Sequence, residues 1–154
     1  MGVAVKMATK GVPTARVAVV EQAAPAGPVS VIDVFDVAAP QPETAGMISE
    51  IAEAVASRAK GLSADRAIVR RADKSQRASN QEGPRVRLLT EGAVAGAVRA
   101  VVPGAVLRDG DKCAQLLGTD KPTMQAQAKA LLAAAGRDAK YDEAAAAALA
   151  GLQT

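Results

Sequence analysis

Residues 29–37, Val-Ser-Val-Ile-Asp-Val-Phe-Asp-Val, form the clearest strand pattern in the chain, because they are rich in β-branched side chains. Two shorter runs of the same kind precede them at residues 3–5 and 15–21. Residues 24–28, Ala-Pro-Ala-Gly-Pro, have the composition of a turn. The chain therefore begins with a pattern that favours three antiparallel strands.

An amphipathic helix is predicted after the third strand. Thr44 is its expected N-cap, and its apolar stripe consists of Met47, Ile48, Ile51, Val55 and Leu62. Residues 66–70, Arg-Ala-Ile-Val-Arg, are short enough for a strand. Because a helix separates it from the earlier strands, this strand is expected to run parallel to the first one.

The second half of the chain predicts four helices and one more strand. The first of these helices has an apolar face formed by Val86, Leu89, Ala93, Ala97 and Val101. Residues 105–107 supply the strand, and residues 112–117 form a short helix. Thr119 or Asp120 caps the next helix, and the last helix spans residues 141–152.

These elements predict one domain over residues 1–154, since the chain contains neither an internal repeat nor a separate linker. The expected fold class is α/β. Its mixed five-stranded sheet has three antiparallel strands followed by parallel ones, and helices flank it.

Composition excludes several kinds of function. The chain has no histidine, so any chemistry must use carboxylates, lysine or hydroxyls. The single cysteine, Cys113, precedes apolar residues and is expected to be a buried small side chain, not a nucleophile. Phe35 and Tyr141 are the only aromatic residues, which excludes a nucleic-acid surface built from stacked rings.

The sequence also predicts where the protein resides. One cysteine cannot form an intramolecular disulfide, and the N-terminus lacks a signal-like pattern, so we expect a cytoplasmic protein. No apolar run reaches the roughly 18 residues of a membrane span, so no membrane association is expected.

Three segments of the C-terminal half resemble successive segments of a known family. They are Gly-Ala-Val-Ala-Gly-Ala-Val at residues 92–98, Leu-Gly-Thr-Asp-Lys-Pro-Thr-Met-Gln-Ala-Gln-Ala at 117–128, and Asp-Glu-Ala-Ala-Ala-Ala-Ala-Leu-Ala at 142–150. Together with the order of elements, they resemble the RNase H-like superfamily in the form found in RuvC-type Holliday junction resolvases. The resemblance covers most of the chain from about Val17 onward.

This resemblance implies metal-assisted phosphodiester hydrolysis, in which converging carboxylates hold two cations. The first acid of the family belongs on the opening strand, where this chain has Lys6, and the second closes the strand after the first helix, where it has Val69. Of the C-terminal pair, Asp142 is present and Ala145 replaces the last aspartate. We therefore expect a catalytically degenerate relative without a resident metal or other cofactor, and Mg²⁺ only if nuclease activity is retained.

A simpler interpretation of Asp142 and Glu143 is that they begin a helix, where the helix dipole favours acids whatever the function. An active nuclease that uses substituted acids is a further alternative. Its candidate acids are Glu21, Glu82 and Glu91. The alternative interpretation of Glu91 is an exposed partner for Arg87, four residues earlier.

Residues 66–87 form a basic segment, in which only Asp73 and Glu82 are acidic. Its cations are candidates for binding nucleic-acid phosphates: Arg66, Arg70, Arg71, Lys74, Arg77, Arg85 and Arg87. The alternatives are a solvated loop and an interface with the acids of another protein. Binding would be directed by shape or backbone, because the sequence has no recognisable groove-reading motif.

Two main functions follow from these patterns. The first is a non-cleaving RuvC-like protein that binds DNA, with branched DNA as a candidate ligand. The second is a structural or adaptor module, for example in a phage particle or a replication assembly, that uses the fold to contact a protein partner or a second copy of itself. Fold alone does not separate the two. An enzyme, in this case a metal-dependent DNA endonuclease, is the least favoured alternative.

Overall fold

A computed structural model describes residues 1–8, 11–40, 43–73 and 82–154. The described strands are β1 (Gly2–Met7), β2 (Pro13–Gln22), β3 (Val29–Ala38), β4 (Ile68–Arg70) and β5 (Val106–Arg108). The described helices are α1 (Thr44–Gly61), α2 (Glu82–Val101), α3 (Gly110–Leu116), α4 (Lys121–Ala134) and α5 (Asp142–Gly151), and a 3₁₀ turn at Ala139–Tyr141 precedes α5.

The five strands form one mixed sheet in the order β3-β2-β1-β4-β5. β1 pairs antiparallel with β2, and β2 pairs antiparallel with β3. β4 runs parallel to β1, and β5 runs parallel to β4. The predicted fold class is confirmed, including the change from antiparallel to parallel pairing after the first helix.

Helices cover both faces of the sheet, and each face has its own core. On one face, α1 and α2 pack against alternate strand residues such as Val3, Val17 and Val69. On the other face, α3, α4 and α5 pack against Ala4, Ala18 and Ile68. Cys113 is buried in this second core, and burial raises the pKa of its thiol to about 11, as expected for a thiol that is not a nucleophile.

The alanine run of α5 lets this helix lie directly on β1. Ala144 to Ala148 are all buried. A Cβ atom on Gly2 would lie 2.0 Å from the carbonyl oxygen of Ala144 and 2.3 Å from the backbone nitrogen of Ala148. Only glycine fits at this crossing, which brings the start of α5 close to the ends of the central strands.

One helix cap differs from the predicted residue, and another agrees with it. Glu43, not Thr44, caps α1, because its carboxylate accepts hydrogen bonds from the backbone of Ala45 and Gly46. Asp120 is confirmed as the cap of α4.

The buried face of α2 also differs from the predicted one. Leu89 and Val101 are exposed, and the buried residues are Val86, Thr90, Glu91, Val94 and Val98. The face of α2 that packs against the core is therefore rotated about the helix axis from the predicted apolar face. The prediction missed it because two of its positions, Thr90 and Glu91, are polar. Among the described helices, none is both long and apolar enough to cross a membrane.

Candidate functional site

β1 and β4 are parallel neighbours, so their C-terminal ends lie at the same edge of the sheet. The first turn of α5 and the N-terminal half of α2 reach this edge too. Five side chains meet there, and we call them the charged cluster: Lys6, Arg70, Arg87, Glu91 and Glu143. Three of these five groups are cations.

Glu143 is the carboxylate that the cations surround. Lys6 Nζ lies 2.5 Å from Oε1, while Arg70 Nη1 and Arg87 Nη2 lie 3.4 Å and 3.9 Å from Oε2. Burial alone would raise the pKa of Glu143, but the hydrogen bond from Lys6 and the charges of the two arginines outweigh it and lower the pKa. Glu143 is therefore ionised and neutralised by the protein's own side chains.

Arg70 is the buried cation of the cluster, with only 3% of its side chain exposed. Its Nη2 donates to Asp73 Oδ2 at 3.2 Å, and no described residue forms a hydrogen bond with its Nε or Nη1. Val69 lies on the other face of the sheet, in the core beneath α1 and α2. The residue that β4 contributes to this edge is thus Arg70.

Asp73 extends the cluster to the neighbouring helices. Its carboxylate accepts from Arg70, from Lys121 Nζ on α4, and from the backbone N–H of Gly110 at 3.2 Å. A Cβ atom on Gly110 would lie 2.6 Å from Arg70 Nη2 and 3.1 Å from Asp73 Oδ1. Glycine at this position allows α3 to begin directly against the ion pair.

Glu91 is buried in the middle of α2 and is only 1% exposed. Both carboxylate oxygens lie 3.0 Å from the backbone nitrogen of Ala72, and Oε1 accepts from Arg87 Nε at 2.9 Å. Burial raises the pKa of Glu91, although these partners oppose the shift. The predicted pairing with Arg87 is confirmed, but the predicted exposure of Glu91 is wrong.

The family positions identified from the sequence are separated in the structure. Lys6 lies in the charged cluster. Asp142 faces away from it, with Oδ2 3.8 Å from Lys129 Nζ on α4. Ala145 is fully buried between α5 and the sheet. Asp142 is therefore not the acid that α5 contributes to this edge; Glu143 is.

The acids of the substituted-nuclease alternative do not lie together. Glu21 is at the opposite end of the sheet, beside a cavity of about 740 Å³ that Arg66 and Leu152 also line. Glu82 is exposed in the first turn of α2, and Glu91 is already bound to Ala72 and Arg87. These three carboxylates do not converge on one point.

The charged cluster does not fit a divalent metal. Its two carboxylates are bound by Lys6, Arg70 and Arg87, so a metal ion would enter beside three fixed positive charges. Within the described ranges, no group of three or more acidic, cysteine or histidine side chains could hold a metal ion. The local chemistry is that of an internal ion-pair network.

The predicted basic segment is divided in the structure. Arg66 lies at the opposite end of β4, where its Nη1 donates to the carbonyl of Leu152 at 2.9 Å. Arg70 is buried, Arg71 pairs with Asp109 at 2.9 Å, and Arg87 pairs with Glu91. Arg85 is exposed on α2, close to Arg87 in the chain. Lys74 and Arg77 lie outside the described residues.

The sequence did not predict that Arg70, Glu91 and Glu143 lie in one charged cluster. The positions of Arg70 and Lys6 in that cluster could, however, have been predicted from the alternation of side chains along their strands. Arg70 shares its strand face with Ile68, since alternate residues of a strand point the same way. On β1, Lys6 shares the face of Ala4 in the same way, and α5 covers that face. Side-chain alternation on β4 would have selected Arg70 rather than Val69.

Comparisons with known proteins are informative at the level of structure. A scan of protein-family models finds no match, and no curated protein sequence matches significantly. The structure is similar to that of RuvC from Thermus thermophilus, with a TM-score of 0.65 and 16% identity over 99% of this chain and 92% of that one. It is also similar to T. thermophilus RuvC in complex with a Holliday junction substrate, with a TM-score of 0.61 and 18% identity over 99% and 91% of the two chains. The protein therefore has the RuvC-like form of the RNase H fold.

Proposed function

We propose that this protein binds DNA, with branched DNA as the favoured ligand, and does not cut it. The observation that carries the proposal is the charged cluster. The resemblance implies acids on β1, at the end of β4 and at the start of α5, whereas β1 contributes Lys6 to this edge and β4 contributes Arg70. Of the side chains that β1, β4 and α5 place here, only Glu143 is an acid. A two-metal hydrolase requires several carboxylates, so this site lacks the ligands for that reaction.

The cations beside the charged cluster support the proposal that the protein binds DNA. Arg71 has 41% of its side chain exposed, Lys121 has 30%, and Arg85 is exposed as well. A surface of this kind contacts phosphates without reading bases, so recognition would depend on the shape of the DNA. The similar T. thermophilus RuvC forms a complex with a Holliday junction substrate, which makes a four-way junction the first ligand to test.

The test is a salt titration of binding to four-way junction, duplex and single-stranded DNA. The slope of log K against log salt is expected to become less negative by about 3 when Arg71, Arg77 and Arg85 are replaced with alanine. Each contact with a phosphate of duplex DNA contributes about −0.9 to this slope. The control variant replaces Lys60 in the last turn of α1, Arg66 at the opposite end of β4 and Arg137 after α4, and it removes the same charge. An equal change of slope in both variants would contradict a localised DNA-binding surface.

A protein-binding role is the second candidate. Leu88 and Leu89 are adjacent on α2 and are 51% and 62% exposed, which makes them the two most exposed large hydrophobic residues in the described ranges. Neighbouring exposed apolar side chains of this kind can mark a protein contact. If the wild-type protein bound none of the three DNA forms at low salt, the adaptor hypothesis would replace the DNA-binding one. Analytical ultracentrifugation of the wild type and of Leu89→Asp would then test whether a second copy covers these leucines.

A further inference from the structure

The outer edge of β3 carries backbone groups that no other described strand pairs. β3 is ten residues long and lies at one edge of the sheet, whereas β5, at the other edge, has three residues. Among the described strands, only β2 pairs with β3. Alternate residues of an edge strand direct their N–H and C=O groups away from the sheet, and this row of groups is a template for one more strand.

The first part of this edge is protected against such pairing. The register between β2 and β3 shifts at Ile32, which is the extra residue of a β-bulge. Shortly after it, the backbone N–H of Val34 donates to the Asp33 carboxylate at 2.9 Å, so this donor is not available to another strand. Bulges and charged side chains are common devices that prevent pairing at a sheet edge.

The last residues of β3 lack this protection. From Asp33 to Ala38 the pairing with β2 is regular, so the N–H groups of Asp36 and Ala38 lie on the same side of the strand as that of Val34. In the part of the chain that the structure describes, no side chain accepts either of these two N–H groups. We call residues 35–38 the open edge of β3.

A groove of about 380 Å³ runs beside the open edge. Residues 35–38 form one of its sides, and Ala54, Ser57 and Arg58 of α1 form the other. The guanidinium group of Arg58 lies over the ring of Phe35, 5.4 Å from its centroid. A strand added at the open edge would place alternate side chains in this groove, because directly opposed residues of paired strands lie on the same face.

The charges at the groove indicate which kind of strand fits it. Arg58 is exposed, and none of the described carboxylates forms an ion pair with it. The acid of the open edge, Asp36, is already paired with Lys140 at 2.9 Å. An acidic side chain opposite Phe35 on an added strand would lie on the face where Arg58 supplies the positive charge.

A second copy of the chain fits this edge less well than an acidic segment does. Two β3 strands paired about a two-fold axis through residues 35–38 would present the same surface to each other. The two Arg58 side chains would then lie on one face of the joined sheet, one on each side of the axis, where like charges oppose association. An acidic segment of a different protein carries no such penalty.

We propose that the open edge of β3 binds an extended, acidic segment of a partner protein by strand addition. The backbone of residues 35–38 supplies the hydrogen bonds, and Arg58 pairs with a carboxylate of the segment. This site is independent of the proposed DNA binding, because the charged cluster lies at the ends of β1 and β4 and β2 separates β3 from them.

The experiment titrates three capped pentapeptides into isotope-labelled protein and follows the backbone amide signals by NMR. Thr-Val-Glu-Val-Thr carries the acid, Thr-Val-Lys-Val-Thr reverses its charge, and Thr-Pro-Glu-Pro-Thr lacks two of the backbone donors that a strand uses. We expect the first peptide to shift the signals of Asp36 and Ala38 and to bind about fivefold more tightly than either of the others. Unshifted signals at these two amides, or equal affinity for the glutamate and lysine peptides, would overturn the proposal.

Arg58→Gln removes the cation of the groove. Lys60→Gln is its matched control, because Lys60 is also an exposed cation of α1 but does not line the groove. Affinity for the glutamate peptide is expected to fall about fivefold in Arg58→Gln and to stay within about twofold in Lys60→Gln. An equal loss in both variants would contradict a specific pairing with Arg58. The amide spectrum of each variant establishes that it is folded.

Hydrogen exchange of the Asp36 and Ala38 amides without peptide tests for the other occupant. We expect their exchange rates to be independent of protein concentration. Rates that fall as the concentration rises would show that a second copy covers the open edge, and they would overturn the choice of a partner segment. A protein that binds none of the DNA forms would leave all these readouts unchanged, so this proposal and the proposed function fail separately.

Discussion

Glu143 and Arg70 illustrate how single residues determine the chemistry of this site. A carboxylate beside the ends of two parallel strands could serve as a metal ligand if other acids lay next to it. Here its neighbours are Lys6, Arg70 and Arg87, and the most buried of them, Arg70, is only 2% exposed. The carboxylate is already neutralised, so its role is to compensate buried positive charge.

The lowered pKa of Glu143 predicts a specific dependence of stability on pH. A carboxyl group whose pKa is lower in the folded state contributes stability above its unfolded pKa, near 4.5, and this contribution is lost as pH falls through the folded value. We expect Glu143→Gln to reduce the free energy of unfolding by about 2 kcal/mol at pH 7, because Arg70 and Lys6 lose their partner, and by much less at pH 3. Urea unfolding at the two pH values measures the difference.

Glu53→Gln, on the exposed side of α1, is the control for this prediction. It is expected to change the free energy of unfolding by less than about 0.5 kcal/mol at either pH. A cost of Glu143→Gln that is equal at pH 7 and pH 3 would be incompatible with an ionised Glu143 at the centre of the cluster.

At the scale of elements, the packing of α5 on β1 places the first turn of α5 at the ends of the central strands. The helix is built from alanine where it touches the sheet, and the strand supplies Gly2 at the closest approach. Small side chains on both elements let their backbones approach closely. Glu143 reaches Lys6 and Arg70 because this crossing fixes the position of the helix.

Gly2→Ala tests this packing. The added methyl group would overlap the backbone of α5, so we expect the free energy of unfolding to fall by about 3 kcal/mol in chemical denaturation. Gly92→Ala is the control, because no atom lies within 4 Å of a Cβ placed at that position of α2. It is expected to stabilise the protein by about 0.5 to 1 kcal/mol through higher helix propensity. A neutral Gly2→Ala would contradict the close crossing of α5 and β1.

The elements themselves could be predicted from local patterns, while the site could not. The β-branched run of β3 and the apolar stripe of α1 are local signals, and both elements form where they predict. The charged cluster depends on which strands pair and which faces the helices cover. The family resemblance pointed to Val69 on β4, but the next residue, Arg70, is the one whose side chain reaches this edge. It likewise pointed to Asp142 on α5, but Glu143 is the acid that reaches the edge. Glu91 was expected at the surface, because charge normally marks an exposed helix position.

At the level of the whole molecule, the fold is similar to that of a nuclease, whereas the side chains of the charged cluster are not those of a metal site. The sheet order and the helices on both faces are those of a RuvC-like nuclease fold, and nearly the whole chain superimposes on T. thermophilus RuvC. At the edge where β1, β4 and α5 meet, however, the described side chains form ion pairs with one another. A fold can carry different activities depending on the residues of its site, and the proposal that this protein binds DNA without cutting it rests on these ion pairs.

The most direct test of this account is to incubate the wild-type protein with a labelled four-way junction and Mg²⁺, and to divide each sample between a native and a denaturing gel. We expect a shifted band on the native gel and intact strands on the denaturing gel. Cleaved strands that require Mg²⁺ and disappear in Glu143→Gln would contradict it, because they would mean that the cluster admits a metal and performs hydrolysis.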